Sequence, residues 1–149
     1  MKINQCMSQD VCFVKPDCKV YDAARIMCEN HIGCIPVCND NRNVIGIITD
    51  RDILLRTVAC DKDTKTTMVS DIMTTDVCTC GCEQTVSDAQ NKMAKHQIRR
   101  IPVVDEKNQM VGILTMGDLA RNTGDIGHQD FSNTMQDICN CEGTVKNCG

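Results

Sequence analysis

Gly46-Ile47-Ile48-Thr49-Asp50-Arg51-Asp52 returns 66 positions later as Gly112-Ile113-Leu114-Thr115-Met116-Gly117-Asp118. Glycine, the following isoleucine, threonine and the final aspartate keep their places while their neighbours change. Extended outward, the correspondence runs without a gap from Ile3 to Thr57 against Val69 to Thr123, with roughly 17 of about 55 aligned pairs identical, well above chance. Two copies at this period predict a tandem pair of domains, because a solenoid uses shorter repeats and needs about three of them to close its core. A unit of ~60 residues buries only about 60% of its unfolded surface, so the copies are expected to pack together with pseudo-two-fold symmetry.

Each copy reads as β-α-β-β-α, an α/β (α+β) unit. In the first, the apolar run Val11 to Val14 stops at Lys15-Pro16-Asp17, a strand followed by a turn. Val20 to Asn30 has helical spacing, with Val20, Ala23, Ala24, Met27 and Cys28 on one face. Cys34 to Cys38 and Val44 to Ile48 are β-rich runs around a polar hairpin turn at Asn39 to Asn43, and Thr49 to Ala59 returns to helical spacing. The second copy repeats this through Asp76 to Cys80, Val86 to His96, Arg100 to Val104, Met110 to Leu114 and Thr115 to Asn122. Short helical fragments, Ile3 to Met7 and Val69 to Met73, introduce the copies. The expected divisions are repeat 1 over 1–60, a charged linker over 61–67, repeat 2 over 68–123, and a polar, cysteine-containing tail over 124–149 with a short helix from Gln129 to Ile138.

Hydrophobic residues make up 42% of the 149 positions and the net charge is -4, which allows a compact core and argues against binding to nucleic acid or an anionic membrane. No Trp, one Tyr and two Phe leave no stacking platform for single strands. Neither a secretory leader nor a membrane span is recognisable, so the expected location is cytoplasmic. Thirteen cysteines cannot all pair within one chain, and Cys28, Cys34 and Cys38 stand among apolar residues, where a thiol behaves as a small buried hydrophobe.

Chemistry concentrates where the last strand of each unit enters its last helix. Thr followed three residues later by Asp forms a capping box, which satisfies free amides at a helix start. The same start can receive an anion, with the carboxylate three residues on available to the hydroxyls of a ribose. Gly46 and Gly112 mark a bend or bulge in the strand before it. Arg51 lies inside the first motif and Arg99-Arg100 precede the second Ile-Pro-Val, where guanidinium groups suit phosphate oxygens.

Ile35-Pro36-Val37 and Ile101-Pro102-Val103 each place their proline 13 positions before the motif threonine, since 49 - 36 and 115 - 102 both equal 13. These paired motifs resemble tandem CBS domains, the Bateman module, over roughly Ile3 to Asn122. The resemblance implies a regulatory, non-enzymatic module that binds AMP, ADP, ATP or another adenosyl ligand in clefts between the repeats, forms a homodimer, and signals to a separate effector protein. Thr49 and Thr115 would lie near phosphate, Asp52 and Asp118 on ribose, and the Ile-Pro-Val segments would supply backbone and apolar walls around adenine. The clefts are expected to differ, because Asp50 and Arg51 face Met116 and Gly117 in the alignment, while Arg99 and Arg100 match Gly33 and Cys34.

The alternative is a cysteine-based metal-binding or redox-responsive protein. Alternate residues share one face of a strand, so Cys78, Cys80 and Cys82 could converge on a soft metal. Cys139, Cys141 and Cys148 form the candidate site in the tail. No Gly-x-Gly-x-x-Gly or Walker loop is present.

Overall fold

The computed structural model describes residues 1–140, and these divide into two compact units that cut across the sequence repeats. One unit is Cys12–Val77; the other combines Met1–Val11 with residues 78–140.

In the first of these, α1 spans Val20–Asn30, β1 Cys34–Cys38, β2 Val44–Thr49, α2 Asp50–Arg56 and α3 Val69–Ile72, with a 3-10 turn at Val58–Cys60. Strands β1 and β2 form an antiparallel hairpin, which the Asn39 side chain closes by accepting from the amides of Asn41 at 3.0 Å and Asn43 at 2.9 Å. Val20, Ala23, Met27, Ile35, Val37, Ile48, Val69 and Ile72 make the core. The predicted strand at Val11 to Val14 reduces to a parallel bridge from Val14 to Val37. Pro16 and Asp17 bend the chain away before more residues can pair.

In the other unit, β3 spans Cys80–Gly81, α4 Val86–His96, β4 Arg100–Val104, β5 Met110–Thr115, α5 Met116–Arg121, α6 Thr123–Ile126 and α7 His128–Cys139. Strand β3 lies parallel to β4 and β4 antiparallel to β5. The predicted strand from Asp76 to Cys80 is therefore short and shifted toward its C-terminal end. Asp105 closes this hairpin as Asn39 closes the first, accepting from the amides of Lys107 and Gln109, each at 2.9 Å. Helix α4 begins with a capping box between Thr85 and Asp88, whereas α1 has no side-chain cap.

The introducing fragments are exchanged. Ile3 is fully buried in the core with Val86, Ala89, Met93, Ile101, Val103 and Leu114, and its amide donates to the Gln84 carbonyl at 2.9 Å. Val69, its equivalent, donates to the Cys18 carbonyl at 2.7 Å, and Cys18 is the equivalent of Gln84. Each fragment thus completes the core of the repeat to which it does not belong in sequence.

Gly46 and Gly112 are explained by these docking segments. A Cβ on Gly46 would lie 2.5 Å from Met73 Sδ, and one on Gly112 would lie 2.7 Å from Met7 Sδ and 2.8 Å from the Ser8 carbonyl oxygen. A bulge also occurs here, where the hairpin register shifts between Val37 and Cys38 and between Val103 and Val104.

Three expectations about side-chain placement require correction. Cys28 is exposed, because it falls on the solvent side of α1, whereas Cys34 and Cys38 are buried. The apolar helix faces carrying Val20, Ala23, Ala24, Met27, Val86, Ala89 and Met93 are expected from the sequence to be shared between the internal core and contact with a second copy; all but the half-buried Ala24 are core residues of their own units. The segment after Thr123 is more than a polar tail: α7 packs on α4, buries Ile138, and places Thr134 where Gln90 Nε2 donates to it at 3.2 Å. Among the described residues no helix is long and apolar enough to cross a membrane.

Candidate functional site

The hairpins bring each Ile-Pro-Val beside its Thr-x-x-Asp. Cys34 pairs with Thr49 and Ile35 with Ile48; in the other unit Arg100 pairs with Thr115 and Ile101 with Leu114. The common spacing of 13 is the length of strand, turn and returning strand. Ile35 and Val37 are fully buried in one core and Ile101 and Val103 in the other, with Pro36 and Pro102 at the alternate positions. The isoleucine and valine side chains are thus committed to internal packing.

Both predicted capping boxes form. Thr49 N donates to Asp52 Oδ2 at 3.0 Å and Asp52 N donates to Thr49 Oγ1 at 3.0 Å. Thr115 N donates to Asp118 Oδ2 at 2.8 Å, Thr115 Oγ1 donates to the same oxygen at 2.8 Å, and Asp118 N returns a bond to Thr115 Oγ1 at 3.1 Å. Helices α2 and α5 have seven and six residues, so the local amides and side chains, more than a long helix dipole, set the electrostatics here.

The second carboxylate oxygen separates the two sites. Asp52 Oδ1 meets Arg56 at 3.6 Å, and the Asp52 side chain is 14% exposed. Asp118 Oδ1 accepts from Ser8 Oγ at 3.1 Å and from Arg121, and its side chain is only 3% exposed. Thr74, the equivalent of Ser8, contacts the arginine instead: Arg56 NH1 donates to Thr74 Oγ1 at 3.4 Å and to the Ile72 carbonyl at 2.7 Å. Arg56, Arg121, Ser8 and Thr74 escaped the sequence reading. Helical spacing of three or four residues from each aspartate could have located the arginines.

The flanking charges also differ. Arg51 is exposed on α2. Arg99 is exposed immediately before β4, and its carbonyl accepts from Met116 N at 2.9 Å; Arg100 opens β4 half-buried. In the equivalent place Gly33 accepts from Asp50 N at 3.0 Å, and a Cβ on Gly33 would lie 2.8 Å from Asp50 Oδ2. The glycine makes room for an acid where the other unit carries arginine opposite methionine.

These hairpin-to-helix units agree with a comparison of the whole chain: the model of the CBS domain matches residues 3–58 and again 69–124. The chain belongs to the CBS-domain family. The CBS domain-containing protein YhcV of Bacillus subtilis is 40% identical over 120 residues, covering 80% of this chain and 84% of YhcV. Among solved structures, Hypoxic Response Protein I with two coordinated zinc ions, a protein known from Mycobacterium tuberculosis, superposes with a TM-score of 0.75 at 30% identity, covering 81% of this chain and 98% of that one. CBSX2 of Arabidopsis thaliana in complex with AMP has a TM-score of 0.72 at 28% identity, covering 84% of this chain and 97% of that one.

The proposed convergence of Cys78, Cys80 and Cys82 on a metal is not observed. Among the described residues no group of three or more His, Cys, Asp or Glu side chains is placed to hold a metal ion. Only Cys80 and Gly81 are in the strand, so the alternation needed to align the three thiols is lost. Burial pushes the Cys80 thiol up to about 11, which keeps it protonated near neutral pH and opposes metal ligation. Cys139 is exposed at the end of α7; Cys141 and Cys148 lie outside the described residues. Among the described residues, Cys6, Cys12, Cys18, Cys28, Cys38, Cys60, Cys78, Cys80, Cys82 and Cys139 are free thiols.

Proposed function

We propose that this CBS pair is a non-catalytic sensor of an adenine nucleotide or another adenosyl ligand, with the Thr49-to-Asp52 helix start as its principal ribose-binding element. The observation that carries this reading is the state of Asp52: one oxygen completes the cap, while the other has, among the described residues, only an ion pair at 3.6 Å, and the side chain remains 14% exposed. A ribose hydroxyl can donate to that oxygen without dismantling the cap. Arg51, Arg99 and Arg100 are proposed to attract phosphate, and the main chain of Ile35-Pro36-Val37 and Ile101-Pro102-Val103 to read the adenine edge. Membership in the CBS-domain family and the complex of CBSX2 with AMP support the ligand class.

The output is proposed to pass as a change of shape or partner affinity to a separate effector, from a homodimer. Leu54 and Val58 remain exposed on and just after α2 and suit an apolar contact better than the core residues read from sequence. Calorimetry of the intact chain with AMP, ADP, ATP and S-adenosylmethionine, with and without chelator, tests the reading. Saturable binding of at least one ligand, unchanged within about threefold by chelator, is expected; this corresponds to less than ~0.7 kcal/mol. Failure of all four to bind, or loss of binding with removal of a stoichiometric metal, overturns it.

A further inference from the structure

A groove of about 380 Å³ lies between α4 and the α6–α7 segment, within a single unit, and none of its lining residues belongs to the Thr49-to-Asp52 or the Thr115-to-Asp118 motif. Asp130, Asn133 and Asp137 line one side at positions i, i+3 and i+7 of α7, and Asp125 adds a third carboxylate from α6. On the opposite side α4 contributes Ser87, Gln90 and Asn91. Among these lining residues there is no Lys, Arg or His, and the α-amino group of Met1 is the only cationic group.

Gln90 supplies an independent indication of a ligand. It is 7% exposed, and its amide orientation follows from its neighbour: Thr134 Oγ1 donates its one proton to the Asp130 carbonyl at 2.8 Å, so it must accept from Gln90 Nε2. Gln90 Oε1 is then left without a donor among the described residues. No fully buried side-chain oxygen lacks a partner among the described residues, so this acceptor keeps its opening on the groove that Gln90 lines. An accessible amide oxygen on an otherwise buried glutamine, together with three carboxylates, suits a ligand rich in N–H donors.

The acidic groups are spread along the groove. No three of them converge on a point that could hold a metal ion among the described residues. Asp130 and Asp137 are seven residues apart, about 10 Å along the helix axis. We propose that this groove binds an extended aliphatic polyamine, whose separated ammonium groups meet the carboxylates while one N–H donates to Gln90 Oε1.

The test is a calorimetric titration of the intact chain with spermidine at low ionic strength, beside Asp130→Asn/Asp137→Asn, Gln90→Met, and the charge-matched Asp17→Asn/Asp61→Asn in the other unit. Circular dichroism confirms that each variant retains its helix content. Saturable binding at one site is expected, weakened at least tenfold by the α7 double variant and severalfold by Gln90→Met, and unchanged within about twofold by the control. The proposal is overturned if spermidine shows no saturable binding, if the control variant weakens binding as much as the groove variant, or if magnesium at equal ionic strength displaces spermidine as effectively as a diamine does.

Discussion

Asp52 and Asp118 occupy the same position in two copies of one motif, and both cap a short helix, yet their remaining oxygens have different surroundings. Asp52 faces a loose ion pair with Arg56, while Asp118 is enclosed by Ser8 and Arg121. The difference begins in the introducing segments. Ser8 reaches the carboxylate directly, whereas Thr74, at the equivalent place, takes a bond from the arginine beside it. Identical motif residues therefore do not imply equal sites, because a few side chains outside the motif decide how much hydrogen-bonding capacity is left for a ligand.

The largest expected effect concerns the docking of these segments. Gly112→Ala meets the Ser8 carbonyl at 2.8 Å, a backbone atom that cannot rotate away, whereas Gly46→Ala meets the end of the flexible Met73 side chain and keeps 3.2 Å to the Thr74 carbonyl. Chemical denaturation should show a loss of about 1–3 kcal/mol for Gly112→Ala and clearly less for Gly46→Ala. Equal losses would place the strain in the strands themselves.

A comparable asymmetry should appear in alkali. Cys80 stands where the first repeat has Val14, and both are buried. Because burial raises the folded thiol from 9.0 to about 11, the unfolded chain releases its proton first as pH rises. The associated stability is complete below about pH 9 and is lost between roughly pH 9 and 11, on the order of 2 kcal/mol. Cys6, Cys18 and Cys38, also raised chiefly by burial, act in the same direction. Denaturation at several pH values should show that Cys80→Val removes the largest part of this alkaline loss. An unaltered profile would assign it elsewhere.

A smaller change is expected at the contact that encloses Asp118. Ser8→Ala should cost about 1 kcal/mol in denaturation, and Thr74→Val less, because its bond to Arg56 is 3.4 Å long. If both substitutions cost the same, the two introducing segments are energetically equivalent despite their different contacts.

Much of the fold can be read from the repeat. Helices α1 and α4 and strands β1 and β4 have the bounds that periodicity predicts, since each is set by a strong apolar pattern and ended by turn residues. The exchange of Ile3 and Val69 was not legible: when two copies present nearly the same docking surface, alignment cannot say which copy a segment completes. Helix α7 was recognised in sequence, but its place on α4 was not, because the contact is made partly by Gln90 and Thr134, polar residues that look solvent-facing. At the site, the capping boxes follow from spacing alone. Enclosure of Asp118 by Ser8 depends on residues 110 positions apart and becomes visible only when the chain is folded.

The central claim is most directly tested by calorimetry with AMP on the intact chain, Asp52→Ala and Asp118→Ala, each checked for retained secondary structure. Removing one cap partner should cost about 1 kcal/mol of stability, which leaves the core folded. The account predicts that AMP binds, that Asp52→Ala weakens binding at least tenfold, equivalent to ~1.4 kcal/mol, and that Asp118→Ala weakens it by less. Undiminished AMP binding by folded Asp52→Ala would contradict the assignment of the first helix start as the ligand site.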